Sequence, residues 1–358
     1  MKILHIAPYN TAGVPITFVN ADRRLGHHSR LLTLQRNLQG YEEDLCLDLP
    51  LLQPEITATF KRLLYPRRAL RQSTDVARPA TIPPRWRPAN LLSQALIKLR
   101  DALLRPAVNF AIKQYQLDAF DVYQLDGGQG FLKYDDIIPA WHARGKKVVC
   151  CYLGSDLRRR GVMPGIDGIS DCNVTLEWDH LDLHPKIHHV NFPFDASAFA
   201  VRTGEPGAKL RIGHSPSDRA AKGSDIIIAA VKRLAAKLPA DLVLIEDMTH
   251  SEALAIKATC DIGVDQVGQL GYGISALEWL AMGVPVATCI ADNMKKQVTD
   301  HPFVEINEGD IGSQLEKLVT DKALRQRLGA QGRQWLERNH DAVNVTRQLH
   351  ELAGISAP

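Results

Sequence analysis

The sequence predicts two α/β domains, each a parallel sheet with helices on both faces. Three observations carry that prediction. Short apolar runs of strand type alternate with helix-period segments through both halves of the 358 residues. A stretch rich in Gly, Pro and Ala, "DASAFAVRTGEPGAK", separates the halves as a connector. The length suits two domains of ordinary size.

The elements follow in order. "KILHIAP" reads as a buried strand, "VPITFVNADRRLGH" as a helix and "HSRLLTL" as a second strand. Beyond a basic insertion whose "LLSQALIKLRDALLRP" is partly helical in period, "RPAVNFAIKQYQL" reads as a helix. "FDVYQLDG" is a strand that ends in a glycine turn, "KKVVCCYLGSD" is another, and "HPKIHHVNFPFD" closes the first half. The second half opens with the strand "LRIGHSPS" and the loop "DRAAKGSD", then the helix "IIIAAVKRLAAKL". "DLVLIE", the helix "HSEALAIKATC" capped by Thr249, and the strand "DIGVDQV" come next. In "LGYGISALEWLAMGVPVATC", Ala276, Leu277, Leu280 and Ala281 recur at helical spacing, and a glycine hands the chain to a strand. "DIGSQLEKLVTDKALRQRLGAQGRQWLERNH" supplies two helices and "AVNVTRQLHELAG" a last one. The expected boundaries are 1–195 for a first domain, 205–340 for a second, and 341–358 for a terminal helix and tail.

Composition narrows the function classes. Hydrophobic content of 45% and charged content of 23% belong to a globular protein. No apolar run reaches the length of a membrane span, and the amino terminus lacks the charged-apolar-small order of a signal peptide. The six cysteines are scattered without CxxC pairs, which speaks against zinc and against a disulfide framework, and implies a cytoplasmic setting. Net charge is +3, but eleven basic and two acidic residues between 61 and 105 put +9 in that segment alone. Its cations alternate with leucines and aromatics, the mixture that an anionic membrane surface binds. A solvated insertion whose leucines cap the core fits the same composition. Nucleic-acid binding lacks any accompanying motif.

In open parallel sheets, ligands sit outside the carboxyl ends of the strands, so the expected site lies between two such domains. Gly271 and Gly273 just before a helix allow close backbone approach, and a helix start offers unpaired N–H groups with a partial positive charge. A phosphate suits that place, and so does the plainer reading of a tight turn before a buried helix. Arg219 and Lys222, three apart at a strand-to-helix loop, are a second anion-binding candidate, most simply for a diphosphate. Asp126 and Asp156 stand at the ends of first-half strands, either to orient a substrate or as turn aspartates. No D-x-D acid pair is present, and no metal or other cofactor is expected.

The pair "DRAAKGSDIIIAAVKRL" and "GYGISALEWLAMGVPVA", joined by "ADLVLIEDMTHSEALAIKATCDIGV", resembles the donor-binding half of retaining glycosyltransferases of the GT-B fold (family four-like, group 1). "YNTAGVPITFVNADRRLGHHS" is similar to the first loop and helix of that family, with Gly13 at the phosphate-facing turn. The resemblance implies two Rossmann-like domains facing across a cleft. It implies a nucleotide-diphosphate sugar as donor and a glycan or lipid-linked acceptor, on the inner membrane face. By position, Lys222 and Arg219 would grip the diphosphate, Gly271, Tyr272, Gly273, Ile274 and Ser275 would supply backbone N–H groups, and Glu278 would hold the ribose. Arg219 and Lys222 would also stabilise the leaving group, and Asp126 would orient the acceptor or sugar. The family usually has a further glutamate where this chain has Leu270, and often a histidine at the strand holding Gln124 and Asp126. Leu270 suggests a donor sugar that lacks the usual hydroxyl there, unless Gln269 reaches it. The alternatives are a nucleotide-sugar epimerase on the same fold and a donor-binding partner of another transferase.

Overall fold

The computed structural model describes residues 1–52, 81–204, 207–268 and 271–357. Residues 61–80 of the basic segment, Gln269 and Leu270 therefore lie outside the described residues. The chain divides into two compact units, one of residues 1–37, 41–193 and 342–358, the other of 38–40 and 194–341.

The first unit is a seven-stranded parallel sheet. Its strands are β1 (Lys2–Ala7), β2 (His28–Thr33), β3 (Leu45–Cys46), β4 (Val122–Asp126), β5 (Lys147–Tyr152), β6 (Cys172–Thr175) and β7 (His188–His189). They lie in the order β3-β2-β1-β4-β5-β6-β7, so the order reverses between β1 and β4. Strands buried on both faces read as continuous apolar runs, and Val122, Tyr123, Leu125, Val148, Val149 and Cys150 are all fully buried. The helix Val14–Arg24 leaves β1 after a tight turn at Gly13. Gly13 has φ +72°, and a β-carbon there would sit 3.0 Å from the Tyr41 ring, so glycine is required twice over. The terminal helix Ala342–Ala353, set apart in the sequence reading, joins this unit. Its His350 bonds Asp22, and Lys147 reaches past its end to the carbonyls of Ala353 and Gly354.

The helix Leu91–Tyr115 joins the partly helical end of the insertion and the stretch after Pro106 into one element. Asn90 and Ser93 form a reciprocal cap at its amino end, and Pro106 is accommodated on the exposed side. Leu104 and Val108 on the inner face join the core under the sheet. Of the described leucines of the insertion, Leu104 enters the core, whereas Leu91, Leu92, Leu99 and Leu103 are exposed.

The second unit is a five-stranded parallel sheet of β8 (Leu210–His214), β9 (Ala240–Leu244), β10 (Ile262–Val264), β11 (Val286–Thr288) and β12 (Val304–Glu305). The order is β12-β11-β10-β8-β9, which reverses between β8 and β10. Trp279, on the helix Ile274–Ala281, is fully buried against those two strands. A β-carbon on Gly263 would fall 2.5 Å from its indole, so the glycine in β10 makes room for the tryptophan. This packing fixes the helix, and with it the glycine loop, over the reversal point.

Candidate functional site

In a sheet of this order the ligand position is the carboxyl end of the two strands at the reversal. Both strands deliver sequence-predicted residues there. The chain after β8 runs into the short helix Arg219–Lys222, whose Asp218 accepts the N–H groups of Ala220 and Ala221. The Lys222 ammonium donates to Asp265 Oδ1 at 2.6 Å, and Asp265 follows directly on β10. Asp265 Oδ2 in turn accepts the Gly273 N–H at 3.2 Å. A β-carbon on Gly273 would stand 3.8 Å from Lys222 Nζ, so the lysine and the glycine loop meet over one carboxylate. Asp265 has no side-chain exposure, whereas Lys222 keeps 16%.

Gly273 is extended and precedes the first turn of the helix Ile274–Ala281. The first N–H groups of a helix lie beyond its own hydrogen-bond ladder, which places those of Ile274 and Ser275 at the open end. Tyr272 points the other way. Its ring stacks on Phe303 and its hydroxyl pairs with His340, so what the loop offers there is backbone. Arg219 is half exposed and grips Glu246, after β9, through two parallel bonds of 2.7 and 2.5 Å. That ion pair raises the arginine pKa through hydrogen bonding and charge.

Glu278, one turn into the helix, is nearly fully buried. Its carboxylate pairs with the Lys257 ammonium and, at 2.7 Å, with His250 Nε2. Lys257 also donates to Ser275 Oγ at 2.8 Å and lies 4.7 Å above the Trp279 ring. Burial pushes the Glu278 pKa up, but the charge of Lys257 and bonds from His250 and Lys257 outweigh it, and the net shift is downward. Glu278 is therefore an ionised carboxylate with two protein partners. His250, a quarter exposed, is the member of this group nearest to solvent. His214, at the end of β8, is buried between the Val264 carbonyl and Ser224, and burial lowers its pKa.

Asp265, Lys257 and His250 are the functional candidates that the sequence reading missed. The pattern offers one signal for the first, an acid immediately after a strand. Nothing local marks the other two.

The remaining predicted residues belong to the first unit. Gly13 lies after β1, at the reversal point of that sheet. Asp126 is not presented as a reactive acid. It is fully buried, with Oδ2 on His5 at 3.1 Å and Oδ1 accepting from the Gln124 amide at 2.9 Å. His5 bonds Asp22 on its other nitrogen at 2.9 Å, so it sits between two buried carboxylates. Desolvation lowers its pKa, but those carboxylates prevail and hold it at about 9. Asp156 accepts the N–H groups of Leu153, Gly154 and Leu157, the part of a turn aspartate. Among the described residues no group of three His, Cys, Asp or Glu side chains is placed to hold a metal ion.

Two all-parallel α/β units in succession, with these strand orders, define the GT-B class of fold. Solved structures agree over nearly the whole chain. Anabaena HepE, solved with UDP and glucose, superposes with a TM-score of 0.57 at 11% identity, covering 98% of each chain. Sucrose-phosphate synthase from Thermosynechococcus elongatus gives 0.59 at 12% identity, again over 98% of each. The kitacinnamycin glycotransferase gives 0.50 at 11%, over 98% of this chain and 99% of that one. By sequence, no known family pattern and no curated protein matches.

Proposed function

We propose that the protein is a glycosyltransferase that moves a sugar from a nucleotide-diphosphate donor to an acceptor hydroxyl, with retention at the anomeric carbon. The observation that carries this reading is the meeting of Lys222, Asp265 and the Gly273 N–H at the reversal of the second sheet. A diphosphate at that place would take hydrogen bonds from the N–H groups of Ile274 and Ser275 and the charge of Lys222. The fold is shared with structures that hold UDP, and the HepE structures include one with UDP-glucose.

Charge develops on the leaving diphosphate as the glycosidic bond breaks. Donors fixed in advance at that charge are the largest contribution a protein makes to such a step. Lys222 and the loop amides serve here, and Arg219 reaches the outer phosphate by turning from Glu246. The resemblance to retaining transferases implies that the leaving phosphate accepts the acceptor's proton on the same face. Glu278 accepts from the ribose on the side where His250 borders it. The acceptor class that fits the surface described below is lipid-linked.

A second reading is favoured by one observation. Both cations are paired with acids, Lys222 with Asp265 and Arg219 with Glu246, which suits a donor-binding partner that does not turn over. Incubation with isotopically labelled UDP-, GDP- and TDP-sugars separates the two. Released or transferred sugar supports the enzyme, and stabilisation by nucleotide without turnover supports the partner. A ligand at a hundredfold its Kd adds about 2.7 kcal/mol, so a melt resolves the binding arm. No binding of any nucleoside diphosphate would overturn both.

A further inference from the structure

The helix Leu91–Tyr115 is apolar on two opposite sides. One side enters the core through Leu104 and Val108. On the other, Leu92, Leu96, Leu99, Leu103, Pro106 and Phe110 follow at alternating spacings of four and three. At about 100° per residue these six fall in one stripe, and from Leu92 to Phe110 it runs about 27 Å. Leu92, Leu99, Leu103 and Phe110 are 61%, 57%, 60% and 66% exposed. A surface helix ordinarily gives this face to polar residues, and a continuous apolar stripe marks a surface that binds something.

Charge says what. Residues 81–115 hold six cations, Arg85, Arg87, Lys98, Arg100, Arg105 and Lys113, and a single acid, Asp101. Asp101 is buried, and it takes Arg100 and the Tyr134 N–H. Arg105 pairs with the exposed Asp136, and Arg85, Arg87, Lys98 and Lys113 leave the exposed side of residues 81–115 predominantly basic. We infer that the stripe seats in an anionic lipid surface, with its leucines and Phe110 at the acyl boundary. The exposed cations of residues 81–115 reach the headgroup phosphates. This inference is independent of the transferase reading.

The same spacing would suit a helix from a second copy. Against that, the positions flanking the stripe are Ala95, Ala102, Ala107, Asn109 and Arg100, with no acid to pair an incoming arginine. Pro106 also puts its ring in the seam. Two copies would bring like charges together, whereas a lipid surface supplies the missing anions.

The test is flotation of the full chain with phosphatidylcholine vesicles carrying a rising fraction of phosphatidylglycerol. Partition is expected to rise with phosphatidylglycerol and to fall with salt. Leu99→Gln, Leu103→Gln and Phe110→Gln together should lower it at least about tenfold. Arg85→Gln, Arg87→Gln and Lys113→Gln together should weaken it and flatten the salt dependence. A cooperative melt confirms that each variant folds; if the apolar triple does not, Leu103→Gln alone and the charge triple carry the same readouts. Equal partition to neutral and anionic vesicles, or none to either, overturns the inference. So does a dimer, seen by sedimentation, that dissociates in the apolar variant while vesicles are ignored.

Discussion

Removing the cation from the buried pair under the glycine loop should cost more than any surface change in this chain. Lys257 and Glu278 are 2% and 3% exposed, and their charged groups are in direct contact. Lys257→Met keeps the apolar stem but removes the ammonium above Trp279 and strands the Glu278 carboxylate with His250 as its remaining partner. Breaking a buried pair from one side costs about 3–5 kcal/mol. For a unit of this size about 2–4 °C of melting temperature goes with each kcal/mol, so the loss is about 6–20 °C. Urea unfolding of parent, Lys257→Met and the double variant Lys257→Met/Glu278→Leu measures it. The double variant should regain most of the loss, because an apolar pair replaces a buried ionic one at little cost. Acid sensitivity should change too. A folded pKa below the ordinary glutamate value means that the pair stabilises the fold above about pH 4.5, with the contribution lost as pH falls through the folded value. Lys257→Met should blunt that acid limb. A loss below about 1 kcal/mol, or a double variant as weak as the single, would refute the claim that charge pairing holds this helix.

Other expectations follow from single contacts. Lys222→Ala should lower sugar transfer at least about tenfold, near 1.4 kcal/mol of transition-state stabilisation, with Arg219→Ala in the same direction; unchanged kinetics in both would remove the diphosphate assignment. His5, held at about 9 against an ordinary 6.5, stabilises the first unit fully below about pH 6.5, and that contribution is lost as pH rises through 9; His5→Gln should flatten this alkaline limb in a pH series of melts. Gly13→Ala combines a left-handed backbone with a close Tyr41 ring and should cost about 1–2 kcal/mol by urea unfolding. Glu278→Gln should narrow the difference in nucleotide affinity between ribose and deoxyribose donors, and calorimetric titration of both would show it.

Most of the architecture was legible because burial on both faces of a parallel sheet leaves apolar runs that alternate with amphipathic helices. The glycine loop, its helix and the cation pair were legible for the same local reasons. Their partners were not. Lys222 meets Asp265 because β10 lies beside β8 although β9 intervenes in the chain, and no spacing in the sequence states that adjacency. Asp126 looked like a strand-end acid until β1 was placed next to β4, which puts His5 against it. The helix Leu91–Tyr115 was ambiguous in a different way. Apolar on both sides, it gives no indication from periodicity of which side the core takes, and Pro106 falls inside it.

The return of Ala342–Ala353 to the first sheet bears on how the protein is made. Emerging from the ribosome, residues 1–193 lack the His350 partner of Asp22 and the carbonyls that tie Lys147. The unit that starts first is thus completed last, after the whole of 194–341 has been synthesised. Domains generally fold as they appear, so the second unit can close while the first still waits with an acid uncovered. Emergence of residues 342–357, and not passage of the domain boundary at 193, sets the moment at which the first unit reaches full stability. A protein cut after 193 should correspondingly be a weaker fold than its seven strands suggest, and adding residues 342–358 as a separate peptide should restore part of the loss.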